Sequence, residues 1–103
     1  MMQTGKVENF QGNKFEILEM ILKNVDDQIE LSLKICFENA VFWIIFSNVS
    51  RFRIGEVSMP LAIHGFEIIN HSQDGWEKDS IYEIRDFEDD CIHFFCESFE
   101  IKE

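Results

Sequence analysis

Cys91, His93 and Cys96 form the pattern Cys-x-His-x-x-Cys, and thiolate and imidazole are the ligands that a soft metal such as zinc takes. The segment around them alternates as a strand does, which sends Cys91 and His93 to one face and Cys96 to the other. The three therefore do not converge, and core cysteines beside a hydrogen-bonded histidine are the simpler reading. His64 and His71 fall on opposite faces of a regular strand and make no pair. Asp86, Glu88, Asp89 and Asp90 cluster where calcium could find oxygen ligands, but the alternating donors, central glycine and terminal glutamate of an EF-hand loop are absent. The cluster reads instead as a solvated acidic loop or, if it has a role, as a docking surface for Lys and Arg. No Gly-x-Ser-x-Gly, Walker or Gly-x-Gly-x-x-Gly motif is present, so neither a catalytic residue, a metal ligand nor a cofactor is assigned. Trp76, between Gly75 and Glu77 in a polar loop, suits an interface anchor, a stacking site for a basic or carbohydrate ligand, or a lid folded back on the core.

The elements that carry these residues are strands. Ile29, Leu31, Leu33, Ile35 and Phe37 alternate with Gln28, Glu30, Ser32, Lys34, Cys36 and Glu38, a period of two that predicts a strand with one wet face. After Glu38-Asn39, Ala40–Phe46 is apolar at both parities, as in a strand covered on both faces or central in its sheet, and Trp43 within it is expected in the core. Those five alternating side chains, at roughly 1.5–3 kcal/mol each, contribute on the order of 10 kcal/mol when buried. Fixing the backbone costs about 1–2 kcal/mol per residue, so this hairpin needs further strands over its apolar face. Lys14–Lys23 fits either a helix or a strand with a parity change; a strand paired with Gln28–Phe37 through the turn Asn24–Asp27 is favoured. Within the strand-like stretches 40–54, 61–71 and 91–101, a bulge or bend near Ser47-Asn48 reconciles the apolar run with the amphipathic Arg51–Ile54, Gly65 marks a bulge or close approach, and the parity change from Ile92, Phe94 and Cys96 to Phe99 and Ile101 calls for a bulge near Glu97-Ser98. A last strand over 81–87 completes about six, mostly antiparallel, in one domain spanning 1–103 with a loose arm at 1–13. The fold class is all-β, a β-sandwich or partly open barrel.

The net charge is −11, and residues 74–103 hold −8 of it. Such a surface repels phosphate backbones and anionic lipid, which argues against nucleic acid and membrane as partners, and it steers a basic partner inward. Acidity of this kind also keeps a small protein soluble. Cys36, Cys91 and Cys96 are odd in number without Cys-x-x-Cys spacing, Met1–Phe15 lacks a signal-like apolar stretch, and no run is long enough to span a bilayer. A soluble cytoplasmic protein is expected.

Gly65-Phe66-Glu67-Ile68-Ile69, Asp74-Gly75-Trp76-Glu77, Asp86-Phe87-Glu88-Asp89 and Phe95-Cys96-Glu97 resemble segments of small uncharacterised proteins of Gram-positive bacteria, some of them similar to immunity partners of polymorphic toxins. The resemblance covers roughly the last forty residues and carries no functional residue with it. It implies a bacterial immunity protein that inhibits a basic toxin, in keeping with the acidity. The expectation is a non-enzymatic acidic protein-binding domain that meets a basic protein through Asp74, Trp76, Glu77 and Asp79 in one loop and Glu88, Asp89 and Asp90 in another. Two alternatives stand beside it. One is a self-associating homo-oligomer built on a strand edge or on Phe42, Ile44 and Phe46; the other is a small-ligand or carbohydrate binder using Trp76 or a barrel mouth.

Overall fold

A computed structural model describes residues 14–55, 58–75 and 80–102; the arm at 1–13 lies outside them. The strands are β1 (Phe15–Val25), β2 (Gln28–Phe37), β3 (Ala40–Ser47), β4 (Ser50–Ile54), β5 (Leu61–Ile63), β6 (Phe66–Asn70), β7 (Tyr82–Asp86), β8 (Ile92–Cys96) and β9 (Ser98–Lys102). They form a five-stranded sheet in the order β5-β1-β2-β3-β9 and a four-stranded sheet in the order β4-β8-β7-β6. All pairings are antiparallel. The protein is a β-rich, sandwich-like fold of two sheets, without closure into a barrel.

Among the described residues nine strands arise from about six stretches because three stretches divide, and each divides where a bulge, bend or close approach was expected. The chain passes directly from the five-stranded to the four-stranded sheet between β3 and β4 and again between β5 and β6, returns directly between β8 and β9, and also returns between β4 and β5 through the longer connection that contains Pro60. A strand that turns from one sheet into the other does so through a bend that resets its alternation: core-facing parity inverts at Gly65 and Glu97, whereas Phe42, Ile44 and Phe46 share their parity with Phe52 and Ile54 across Asn48-Val49. Ile92, Phe94 and Cys96 before the bend and Phe99 and Ile101 after it are accordingly all buried. The first and third bends lie side by side: Glu97 N–H donates to Ser47 O at 3.0 Å, and Asn48 Nδ2 donates to Glu97 Oε1 at 3.1 Å.

The two hairpins of the large sheet are closed by two-residue turns. Asp26 and Asp27 have φ of 53° and 66°, and Glu38 and Asn39 of 51° and 66°. Positive φ at both central positions is the type I′ geometry that matches strand twist, and Asn and Asp tolerate it better than most residues. Between the sheets lie Ile17, Leu31, Leu33, Ile35, Ile44, Phe46, Ile84 and Phe94, all without solvent exposure. Phe46 stacks edge-to-face on Phe94 with centroids 4.9 Å apart, and Phe15 on Phe66 at 5.1 Å.

Two expectations about β3 are corrected. Phe42, Ile44 and Phe46 are buried in the core and offer no surface for self-association. The parity left outside is Val41, Trp43 and Ile45. Trp43 is therefore half-buried on the outer face, opposite Lys34 and Lys102. Central position in the sheet accounts for the apolar run, since Trp43 gains cover from long cross-strand side chains rather than from a second layer.

Gly65 marks the β5–β6 bend. A Cβ built there would stand 2.5 Å from Glu88 Cγ and 2.8 Å from the Glu88 backbone nitrogen. Gly65→Ala must displace main chain and should cost about 1–3 kcal/mol, read as a fall in urea midpoint at unchanged slope. Gly55→Ala, whose Cβ would meet nothing closer than 3.9 Å among the described residues, should stay within about 0.5 kcal/mol of wild type. Equal midpoints for the two variants would contradict the close approach.

Candidate functional site

The acidic turn between β7 and β8 is built on a buried carboxylate. Asp86 Oδ1 accepts the Gly65 N–H at 3.0 Å and the Glu88 N–H at 3.2 Å, while Oδ2 accepts the Cys91 thiol at 2.9 Å. Phe87 N–H donates to Gly65 O at 2.9 Å, and Asp90 N–H to Asp86 O at 3.0 Å. Burial pushes the Asp86 carboxyl up, but these donors and the backbone N–H groups of Cys91 and Asp89 outweigh it and hold the group below its ordinary value. Burial, reinforced by Asp86, pushes the Cys91 thiol up to about 12. Asp86 is thus spent on fixing the turn rather than presented to a ligand.

What the turn presents is Phe87, 51% exposed, followed by Glu88, Asp89 and Asp90, all exposed. Asp89 Oδ2 lies 2.9 Å from His64 Nδ1, and Asp90 Oδ1 accepts from Arg53 at 3.3 Å. Two of the three expected docking carboxylates are therefore already engaged at the surface, Asp90 by the Arg53 guanidinium and Asp89 by the His64 imidazole, where such contacts contribute about 0–1 kcal/mol and exchange readily.

A second polar assembly lies on the outer face of the four-stranded sheet. Pairing of β7 with β8 sets Arg85 opposite His93 and Glu83 opposite Phe95; pairing with β6 sets Glu67 opposite Arg85 and Ile69 opposite Glu83. His71, just beyond β6, donates its backbone N–H to Ile81 O at 2.6 Å and so stays beside Glu83. The Glu83 carboxylate lies between two imidazoles, with His71 Nε2 at 2.8 Å from Oε1 and His93 Nε2 at 2.7 Å from Oε2. Asp74 Oδ2 closes on His71 Nδ1 at 2.6 Å. With a carboxylate at each ring nitrogen, His71 is held as a double donor. The Glu83 hydrogen bond raises its pKa, burial opposes this, and Asp74 adds to the rise. Burial pushes Glu83 up, but the bonds from His93 and His71 leave it below its ordinary value. Arg85 Nε donates to Glu67 at 2.8 Å. Arg51 lies 4.3 Å over the Phe95 ring and donates to Ser80 Oγ.

The expected residues thus separate. Asp74 serves His71, Glu88–Asp90 form the exposed turn, and Trp76, Glu77 and Asp79 lie outside the described residues. Cys91, His93 and Cys96 diverge, the first to Asp86, the second to Glu83 and the third into the core. Burial pushes the Cys96 thiol up to about 12. Among the described residues no group of three or more His, Cys, Asp or Glu side chains is placed to hold a metal ion, and no helix is long and apolar enough to cross a membrane. Sequence reading missed the joining of His71 and His93 by Glu83; the signal for it was the shared polar parity of Glu83, Arg85 and His93 within a predicted hairpin. No known protein family, curated protein or solved structure matches the chain.

The His71–Glu83 pair makes stability depend on pH in a defined sense. The raised imidazole contributes fully below its unfolded value near 6.5 and loses the contribution as pH rises through the higher folded value. The lowered carboxyl contributes above its unfolded value near 4.5 and loses it as pH falls through the lower folded value. Stability from this pair should therefore be greatest between those two unfolded values. His71→Gln should flatten the decline above the upper one, and a decline of unchanged slope in pH-dependent urea melts would contradict the assignment.

Proposed function

We propose that the chain is a non-enzymatic protein-binding domain whose turn Phe87–Asp90 docks on a basic protein surface, with an immunity-type inhibitor of a basic toxin as its sharpest form. Phe87 carries this reading. A phenyl ring half in solvent, on a turn whose backbone is pinned by the buried Asp86, can enter a pocket with little ordering cost. Glu88, Asp89 and Asp90 surround it with carboxylates that would steer lysines and arginines and, on contact, exchange His64 and Arg53 for the partner's cations. The net charge of −11 acts in the same direction at longer range. Asp74 has a supporting part here, holding His71 a few residues ahead of Trp76, Glu77 and Asp79 in the sequence.

The test begins with capture from native cell extract at low salt, followed by rate measurements on the purified partner. Phe87→Ala should speed dissociation by roughly tenfold or more, as for a buried aromatic anchor. Replacing Glu88, Asp89 and Asp90 by Gln or Asn should slow association and flatten its salt dependence. A stoichiometric partner whose rates ignore both changes would remove this turn from the binding surface.

A further inference from the structure

The β1–β2 hairpin runs past the rest of its sheet. β3 pairs with β2 only from Leu31 to Phe37, and β5 pairs with β1 only over Phe15–Ile17. Among the described residues the outer edge of β1 from Leu18 to Asn24 therefore has no strand beside it. The overhang leaves Ile21 44% and Leu22 49% exposed. A bare apolar edge of this kind is a template for another strand.

The turn decides which backbone groups the edge offers. A two-residue type I′ turn at Asp26-Asp27 makes Val25 and Gln28 the hydrogen-bonded pair that closes the hairpin. By alternation along the register, Lys23–Glu30, Ile21–Ser32 and Glu19–Lys34 exchange hydrogen bonds inside the hairpin. Met20, Leu22 and Asn24 then direct their N–H and C=O groups outward.

We propose that this edge pairs with the same edge of a second copy, antiparallel about a two-fold axis at Ile21, joining two five-stranded sheets into one. Met20 then lies opposite Leu22 of the second copy, and the two outward-pointing residues exchange hydrogen bonds. Ile21 meets its own counterpart on the outer face, and Glu19 stands opposite Lys23. A slip of one residue sets outward groups against inward ones and reverses the faces. A slip of two keeps the hydrogen bonds but separates Glu19 from Lys23.

Charge complementarity selects the second copy as occupant. Within the hairpin, Lys34 Nζ lies 3.6 Å from Glu19 and Lys23 Nζ 3.5 Å from Glu30. Across the junction these pairs become one row, Lys34, Glu19, then Lys23 and Glu30 of the second copy, alternating in sign over four strands; symmetry supplies a second row. An edge lysine ordinarily blocks pairing, but here it faces a glutamate. On the opposite face Met20 and Leu22 extend the apolar rows begun by Leu33 and Leu31.

Sedimentation equilibrium at physiological ionic strength, where repulsion between acidic copies is screened, tests the pairing. Wild type should approach twice 12.2 kDa with rising concentration. Glu19→Lys sets lysine against lysine and Lys23→Glu sets glutamate against glutamate, so each variant should raise the dimer dissociation constant roughly ten- to a hundredfold while keeping its far-ultraviolet spectrum. Mixed in equal amounts, the two variants should form a heterodimer, because both junction pairs regain opposite charge. Wild type that stays monomeric throughout overturns the proposal, including the case where the edge serves a different protein. Reversals without effect on mass, or a mixture that stays monomeric, overturn it equally.

Discussion

The structure depends on three strands that each serve both sheets. A continuous strand crossing a sandwich has to turn apolar side chains to the core on both sides of the crossing, and it does so by a bend that leaves one or two residues out of the alternation. At the adjacent bends the skipped positions are Asn48-Val49 and Glu97. Asn48 takes the left-handed backbone, with φ of 55°, Val49 is buried, and Glu97 binds across to Ser47 and Asn48. The aromatic cluster follows, because the bend brings Phe46, Phe94 and Phe99 together, Phe46 lying 4.9 Å from Phe94 and 6.0 Å from Phe99. The remaining bend, at Gly65, delivers a backbone N–H and C=O to Asp86 and Phe87, so the geometry of the acidic turn is inherited from a crossing on a different part of the chain.

Excess acid is managed largely within the molecule. Asp86 is stabilised as a buried carboxylate by backbone donors and a thiol, Glu83 by two imidazoles, and Glu67, Asp89 and Asp90 by Arg85, His64 and Arg53. Each arrangement satisfies a carboxylate with donors already near it in the sheet register, which is cheaper than recruiting a distant cation. Among the described acids the exposed Glu88 stands beside an exposed aromatic ring, and that pairing of apolar area with charge separates the turn from the other acidic positions.

Much of the fold was legible in the sequence. Period-two alternation located β2, the turns at Asp26-Asp27 and Glu38-Asn39, and the pairing of β1 with β2; the bulges or bends expected at Ser47-Asn48, Gly65 and Glu97-Ser98 marked three of the four crossings. That these were crossings between sheets rather than bulges within one was not legible, because a bulge and a corner interrupt the alternation alike. Trp43 was misplaced for a related reason: an apolar run signals a central strand as readily as a doubly covered one. The histidine–carboxylate assembly was legible only in part. The β7–β8 hairpin register places Glu83 near His93, whereas His71 arrives through β6, whose register with β7 follows from no short turn.

Folding order follows from where β3 finds its second neighbour. One edge of β3 is satisfied almost at once by β2, with Phe37 against Ala40 across a tight turn, but the other waits for β9, where Phe46 meets Phe99. During synthesis the β1–β2–β3 meander emerges long before β9 does, with Phe42, Ile44 and Phe46 uncovered on one face and an open edge. Loop-closure entropy opposes the late pairing until the four-stranded sheet is at hand to receive the same side chains. The nascent meander is thus the species most exposed to aggregation, and a chaperone that shields apolar strands would meet this protein at that stage rather than after completion.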